Sequence, residues 1–315
     1  MVVVWQIGYL TKNIISKMCR YYVMNGLYKK ILAICYPKKL ADILYYERLG
    51  KKINWKNPST LNEKINWLAF CSNTSYWTIL ADKYHVRNYV KEQGFDDILP
   101  KLYGVYDSTD EINFDILPES FVIKCNHDCG STMIVANKKD INIDKIKRNV
   151  NECMSRSFGI NSAEPHYKRI PKKIIIEELI PAPIDSGVLL EYKFWAFNGS
   201  VKYCQVDYKA DKMYNAIYKC PEWINMNEKL VNNSSLQIPL PQNLSFMIEI
   251  AEKLSTHIPQ CRVDLYNSNG KIYFSELTFT SNCGRIDHYT NDFLYELGSY
   301  VDLNWKETPQ IQLKQ

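Results

Sequence analysis

The stretch Arg262-Val263-Asp264-Leu265-Tyr266-Asn267-Ser268-Asn269-Gly270-Lys271-Ile272-Tyr273-Phe274-Ser275-Glu276-Leu277-Thr278 reads as two strands around an Asn-Gly turn. Side chains alternate along a strand, so Arg262 and Asp264 share one face, as do Glu276 and Thr278. Whether the two faces coincide depends on register. A two-residue turn pairs Asp264 with Ser275, whereas a three- or five-residue loop pairs it with Glu276. The expectation is the odd loop, because only then do the two acids face each other.

On that register two carboxylates oppose each other about 5 Å apart, a repulsive arrangement unless a cation lies between them. Mg²⁺ held by one or two carboxylates plus nucleotide phosphates suits it, with Asp264 and Glu276 as the carboxylates. Arg262 and the polar loop Thr280-Ser281-Asn282-Cys283-Gly284 add groups able to hold a phosphate and a substrate.

Upstream, Phe121-Val122-Ile123-Lys124 is a short apolar strand. It runs into a polar turn holding Gly130 and Ser131 before an apolar run resumes at Met133–Ala136. Backbone amides in such a turn can cradle phosphates while the Lys124 ammonium neutralises them. A helix over Ser75–Gln93, ended by Gly94, carries Lys83 and Arg87 one turn apart on its polar face, and Lys83 could supply a second charge to the phosphates. Residues 172–180 form a buried strand ending at Pro181 and Pro183. There Glu177 could accept from an adenine amino group while the backbone at Leu179 reads the ring edge.

Further elements follow from local signals. Thr60-Leu61-Asn62-Glu63 is a capping box that starts a helix, Asn198-Gly199 predicts a second hairpin, and helices are expected over 141–157, over 244–257 and after Asp292.

The 315 residues are 46% hydrophobic and 13% aromatic, enough for a large core and incompatible with a disordered chain. The net charge of +5 is unevenly placed. Residues 1–60 hold 11 Lys/Arg and 2 Asp/Glu, a net +9, and the remainder is −4. A basic opening interleaved with Trp5, Tyr9, Tyr21, Tyr22 and Tyr28 could lie on an anionic membrane surface or touch an acidic partner through residues 1–56. Alternatively it is a solvated helical layer. The acidic remainder argues against nucleic-acid binding. Lys12, Lys17, Arg20 and Lys29-Lys30 interrupt any spanning run, and the apolar stretch precedes the charges, unlike a secretory signal.

Ten cysteines without a paired framework suit reduced thiols in cytoplasm, and Cys125 and Cys129, with His127 between, lack the second pair a zinc site needs. His127, His166 and Cys125 receive no catalytic role.

The order Lys83, Lys124 with its loop, Glu177-Glu178-Leu179, Arg262, Asp264, Glu276 resembles the ATP-grasp superfamily over about Thr60–Tyr300. Several segments resemble its teichuronopeptide-biosynthesis branch more closely: Leu61–Leu68, Ala81–Tyr84, Phe121–His127, Ile174–Glu178, Tyr192-Lys193-Phe194 and Arg262–Tyr266.

The resemblance implies an α+β fold in which two subdomains clamp ATP, and the basic opening is expected to form a helical segment over residues 1–59 ahead of it. The parts would be 60–120, a central subdomain over 121–185, a C-terminal subdomain with the metal site over 186–303, and a tail over 304–315. It implies attack of a carboxylate on the γ-phosphate and capture of the acyl phosphate by an amine. The carboxylate would belong to a uronic acid of a bacterial surface polysaccharide or its nucleotide-sugar precursor, and the amine would be an amino acid or another amine. Cysteine usage points to the cytoplasm, and the basic opening could place the enzyme peripherally at the inner face of the membrane.

By position the resemblance makes Lys83 and Lys124 the phosphate lysines, Glu177 the adenine contact, Asp264 and Glu276 the metal carboxylates and Arg262 the residue stabilising the transferring phosphoryl. Lys193 is a further phosphate or carboxylate contact and Asp185 a ribose contact. Two departures stand out: Thr278 where Asn is usual, its hydroxyl still able to ligate the metal or donate to a phosphate, and Thr280–Gly284 where a Pro-Gly element is usual.

The alternatives are a glycosyltransferase of the same kind of pathway, although no Asp-any-Asp triplet occurs, and a non-catalytic nucleotide-binding scaffold. Neither a Gly-Lys-Ser/Thr loop nor a Gly-any-Gly fingerprint is present.

Overall fold

A computed structural model describes residues 26–184, 187–209, 213–232, 234–309 and 311. Residues 1–25 and Asp185 lie outside the described residues. Two antiparallel sheets organise the chain. The smaller has strand order β1-β4-β2-β3, with β1 Leu102–Tyr106, β2 Phe121–Cys125, β3 Met133–Val135 and β4 Ile174–Glu177. The larger has order β10-β9-β5-β6-β7-β8, with β5 Glu191–Phe197, β6 Ser200–Lys209, β7 Met213–Lys219, β8 Ile224–Asn225, β9 Cys261–Ser268 and β10 Lys271–Thr278.

In the small sheet alternate residues Phe121, Ile123, Ile174 and Ile176 point to one side and pack with Val150 of helix α6 (Ile143–Ser155). The Asn142 side chain caps α6 by accepting from the Lys145 N–H at 2.9 Å.

The large sheet buries Phe194, Val206, Val263, Leu265 and Leu277 with α3 (Leu61–Cys71), α7 (Leu244–Leu254) and α8 (Asn291–Ser299). The expected capping box starts α3: Thr60 accepts from the Glu63 N–H and Glu63 accepts from the Thr60 N–H. The N-terminal segment is helical over its described part, in α1 (residues 26–35) and α2 (Pro37–Leu49). Leu32, Leu40 and Tyr45 of these helices pack with Ile53 and Ala163.

One expected helix is divided. Instead of a helix over 75–93 there are α4 (Ser75–Leu80) and α5 (Val86–Glu92), with Lys83 in the turn between them. Asp82, 1% exposed, causes the break. Its carboxylate accepts from the Tyr84 and His85 N–H groups at 2.8 and 3.2 Å and from Asn126 Nδ2 at 2.9 Å, offering the backbone an alternative to helical bonding.

Helix α8 approaches the start of α3 closely. A Cβ at Gly298 would fall inside contact distance of the Ser59 carbonyl and lie 2.8 and 2.9 Å from Thr60 C and Leu61 N, all backbone atoms. Gly298→Ala is therefore expected to lower stability by about 1–3 kcal/mol through overpacking, read as a lower denaturation midpoint.

His166 is fully buried, edge-on to Trp77 at 5.4 Å, and neither ring nitrogen has a hydrogen-bond partner. Burial, with Arg169 adding to it, depresses its pKa to about 3. The unfolded chain takes up this proton below about pH 6.5, whereas the folded chain refuses it until about pH 3. The stability associated with the neutral ring is thus complete above pH 6.5 and lost as pH falls, at up to about 1.4 kcal/mol per unit. His166→Phe should flatten that acid limb in a series of melting curves.

Candidate active site

The hairpin β9–β10 brings Asp264 opposite Glu276, by a route other than the one expected. Ser268 pairs with Lys271, so the turn has two residues, with Asn269 at φ 52° and Gly270 at φ 82° in the left-handed region that an Asn-Gly turn uses. The odd residue lies in the strand instead. The register shifts between Phe274 and Glu276, a bulge at Ser275, so Leu265 faces Phe274 while Asp264 faces Glu276. The expectation of an odd-length loop is corrected, and the facing of the two acids stands.

Across β9 to β5, Asp264 pairs with Lys193 and Arg262 with Trp195. Lys193, Asp264 and Glu276 therefore form one row across three strands. Arg262 holds Asp264 in a two-pronged bond, Nε to Oδ1 at 2.7 Å and Nη2 to Oδ2 at 2.6 Å, and reaches Thr278 and Ser281 hydroxyls at 3.3 Å. Thr278 donates to Glu276 at 3.2 Å. Lys193 pairs with Glu191 at 3.0 Å and with Asp207, which also accepts from Gln205 and Asn215 at 2.6 Å each.

Lys83 links the two sheets. Its ammonium lies 3.4 Å from Glu276 and donates to the Asp128 carbonyl in the β2–β3 loop at 2.5 Å, while its own N–H bonds the Asn126 carbonyl at 3.1 Å. The turn at Asp82 thus aims Lys83 across the cleft. In the small sheet Lys124 pairs with Glu177, and Arg87 approaches the same carboxylate at 3.9 Å. Gly130 is exposed at φ 88° with open space where a side chain would stand. Ser131 is buried, bonding Asp128 and the Cys125 N–H within the loop. Leu179 is half-buried just past β4, beyond Glu178, whose N–H bonds the Lys101 carbonyl at 2.8 Å.

The two facing acids sit in different fields. Burial would raise both. Lys83, Arg262 and Lys193 overcome it at Glu276 and hold that carboxyl at about 2. At Asp264 burial prevails over the Arg262 guanidinium and pushes the carboxyl up. Lys193 is held well above its ordinary range, against its own desolvation, chiefly by Asp264.

The candidate donors Asp264, Glu276 and Thr278 all present hard oxygens. Among the described residues no group of three or more His, Cys, Asp or Glu forms a self-sufficient metal site. Two carboxylates with cations around them suit an ion that arrives with its own phosphate ligands. Arg87 and Ser281, from the helix face and the polar loop noted in the sequence, join these networks, as do Glu191, Asp207 and Gln205, which carry no motif of their own.

A family model described as TupA-like ATP-grasp matches residues 63–302. A comparison with curated proteins gave no match. Among solved structures, the chain is similar to a D-alanine–D-alanine ligase from Bacillus anthracis complexed with ATP, at 13% identity and TM-score 0.37 over 70% of this chain and 57% of that one. It is similar to an L-amino acid ligase from Bacillus licheniformis, at 13% identity and TM-score 0.45 over 78% and 55%. It is also similar to the ATP-grasp ligase PsnB complexed with a variant of its minimal precursor, Mg and ADP, at 10% identity and TM-score 0.37 over 76% and 64%. The chain spans between 55% and 64% of the length of these three proteins. With the sequence match running from the capping-box helix to the end of α8, the chain belongs to the TupA-like ATP-grasp family.

Proposed function

We propose that the protein is an ATP- and Mg²⁺-dependent ligase that joins a carboxylate to an amine, the carboxylate belonging to a uronic acid of a surface polysaccharide or its nucleotide-linked precursor. The observation that carries this reading is the pair Asp264 and Glu276, facing across β9 and β10 with Arg262, Lys83 and Lys193 around them.

Asp264 and Glu276 would hold Mg²⁺, with Thr278 beside them. When bound, the ion neutralises charge on the β- and γ-phosphates. Lys83 and Lys124 spread positive charge over the nucleotide phosphates, the turn at Gly130 and Ser131 lends backbone amides, and Arg262 stabilises the transferring phosphoryl. Glu177 and the backbone at Leu179 take the adenine edge, Asp185 the ribose, and Lys193 the substrate carboxylate.

The carboxylate oxygen attacks the γ-phosphorus, the bond to the β–γ bridging oxygen breaks and ADP leaves. The amine then attacks the acyl carbon, phosphate leaves and the nitrogen gives up its proton. Placement and electrostatics suffice, so no side-chain nucleophile is assigned.

The test is incubation with ATP, Mg²⁺ and a panel of nucleotide-linked uronic acids crossed with amines. ADP release that needs both partners, with a product mass equal to their sum less water, supports the ligase. Sugar transfer with release of the nucleoside diphosphate from the nucleotide-sugar contradicts it.

We also propose peripheral contact of the N-terminal segment with anionic lipid. Leu27, Ile31 and Ile34 are exposed on one side of α1, next to Lys29 and Lys30, and no described helix is long and apolar enough to cross a membrane. Co-sedimentation with phosphatidylserine vesicles is expected and should fall with salt. Equal binding to phosphatidylcholine vesicles contradicts the charge contribution.

A further inference from the structure

Two rows of side chains run side by side across the face of the large sheet that carries the acids. The first is Gln205, Lys193, Asp264 and Glu276, on β6, β5, β9 and β10. The second, two residues along, sets Asp207 on β6 opposite Glu191 on β5. Like charges directly opposite each other repel, so Asp207 and Glu191 need a cation between them, as Asp264 and Glu276 do. Lys193 supplies it. Its ammonium leans out of its own row to pair with Glu191 at 3.0 Å and with Asp207.

A nearer acid competes for that ammonium. Asp264 stands directly across from Lys193 on β9, where the Cβ atoms of such a pair lie about 5 Å apart, and its charge is the chief attraction acting on Lys193. A lysine stem spans that gap. Arg262 takes one acceptor position on each Asp264 oxygen, so an ammonium there would contend with a metal ion for the remainder.

A buried relay holds Asp207 in place as the alternative partner. Trp195 Nε1 donates to the Tyr289 hydroxyl at 2.9 Å, Tyr289 donates to Gln205 Oε1, and Gln205 Nε2 donates to Asp207 Oδ1 at 2.6 Å. The order is forced, because an indole N–H only donates and the hydroxyl proton must then go to Gln205. The reverse amide orientation would set Gln205 Oε1 against an Asp207 oxygen. Asn215 Nδ2 donates to the same Oδ1 at 2.6 Å, while Lys193 takes Oδ2. Trp195, Tyr289, Gln205 and Asp207 are all buried, where a broken link leaves a costly unpaired group.

We propose that Asp207 is a positioning residue of the reaction centre: with Glu191 it draws the Lys193 ammonium sideways off Asp264 and leaves that carboxylate open to the metal ion. The assignment rests on the ligase reading, in which Asp264 holds Mg²⁺.

The test titrates Mg²⁺ into the full chain with methylanthraniloyl-ADP, a fluorescent analogue. The half-saturating Mg²⁺ concentration is read for wild type, Asp207→Asn, Lys193→Met and the double variant. Asp207→Asn should raise it at least about tenfold, within the range of couplings between contacting groups, because Lys193 turns to Asp264. In the Lys193→Met background the same substitution should raise it less than about threefold, since no ammonium is left to compete. A merely structural role for Asp207 would act equally in both backgrounds. Glu191→Gln, at a half-buried acid, repeats the comparison should Asp207→Asn fail to fold. Equal rises in both backgrounds, or no rise with Lys193 present, overturn the steering alone. A wild type that binds the analogue without regard to Mg²⁺, or not at all, overturns the ligase reading beneath it.

Discussion

Asp264→Asn and Glu276→Gln are each expected to reduce ADP release at least about a hundredfold, the scale on which removal of one preorganised charge-stabilising group acts. The two changes are not equivalent. Glu276 is held ionised by Lys83, Arg262 and Lys193, so Glu276→Gln removes a formal charge and releases Lys83 from its contact across the sheets. Asp264 is wholly buried against Arg262, so Asp264→Asn leaves the guanidinium with a neutral partner in the same place. Raising Mg²⁺ should restore part of the activity where affinity alone is damaged, and turnover measured against Mg²⁺ concentration separates the cases. Full turnover of both variants at saturating Mg²⁺ would remove the metal assignment.

Arg262→Met is expected to be the most destabilising single change at the site. The Arg262 side chain is 13% exposed and its guanidinium satisfies both oxygens of Asp264, whose side chain is 1% exposed. Removing it leaves a buried acid without its partner, at a cost of about 3–5 kcal/mol. Burial already pushes the Asp264 carboxyl up, so without Arg262 the acid would take a proton and part of the loss would be recovered at low pH. Adding Asp264→Asn to Arg262→Met should restore a portion of the midpoint, because the isolated charge is gone. Chemical denaturation of the two single variants and the double variant gives the coupling directly. A sum of independent effects would contradict the pairing. Arg262→Lys should fall between, since an ammonium cannot make the two-pronged contact.

Much of this arrangement was legible in the sequence because it depends on local rules. The capping box at Thr60, both Asn-Gly turns and the alternation that places Arg262 beside Asp264 are short-range features, and each appears in the structure.

The route to the facing acids was harder to read. Turn length alone does not set strand parity, because the chain keeps a two-residue turn and adds its odd residue at Ser275. A signal was present. The positions packed in the main core, Ile272 and Phe274, are two apart, Leu277 follows after three, and Phe279 returns to two, the spacing a bulge leaves in an apolar pattern. A similar shift, between Trp195 and Ala196, sets Glu191 opposite Asp207, a pairing that strand alternation from the Asn198-Gly199 turn does not give.

Lys83 shows a different limit. The apolar period across 75–93 is compatible with a continuous helix, and the break depends on Asp82 meeting Asn126 some forty positions away. Arg87, closing on Glu177, and His288, reaching Gln205, likewise acquire partners only through tertiary packing.

The central claim is that the protein activates a carboxylate by phosphorylating it, and oxygen transfer reports on that step. With a uronic acid substrate carrying ¹⁸O in its carboxylate, together with ATP, Mg²⁺ and the amine, mass analysis of the released phosphate should find one ¹⁸O per amide formed. Amide formation with phosphate free of ¹⁸O would contradict the account.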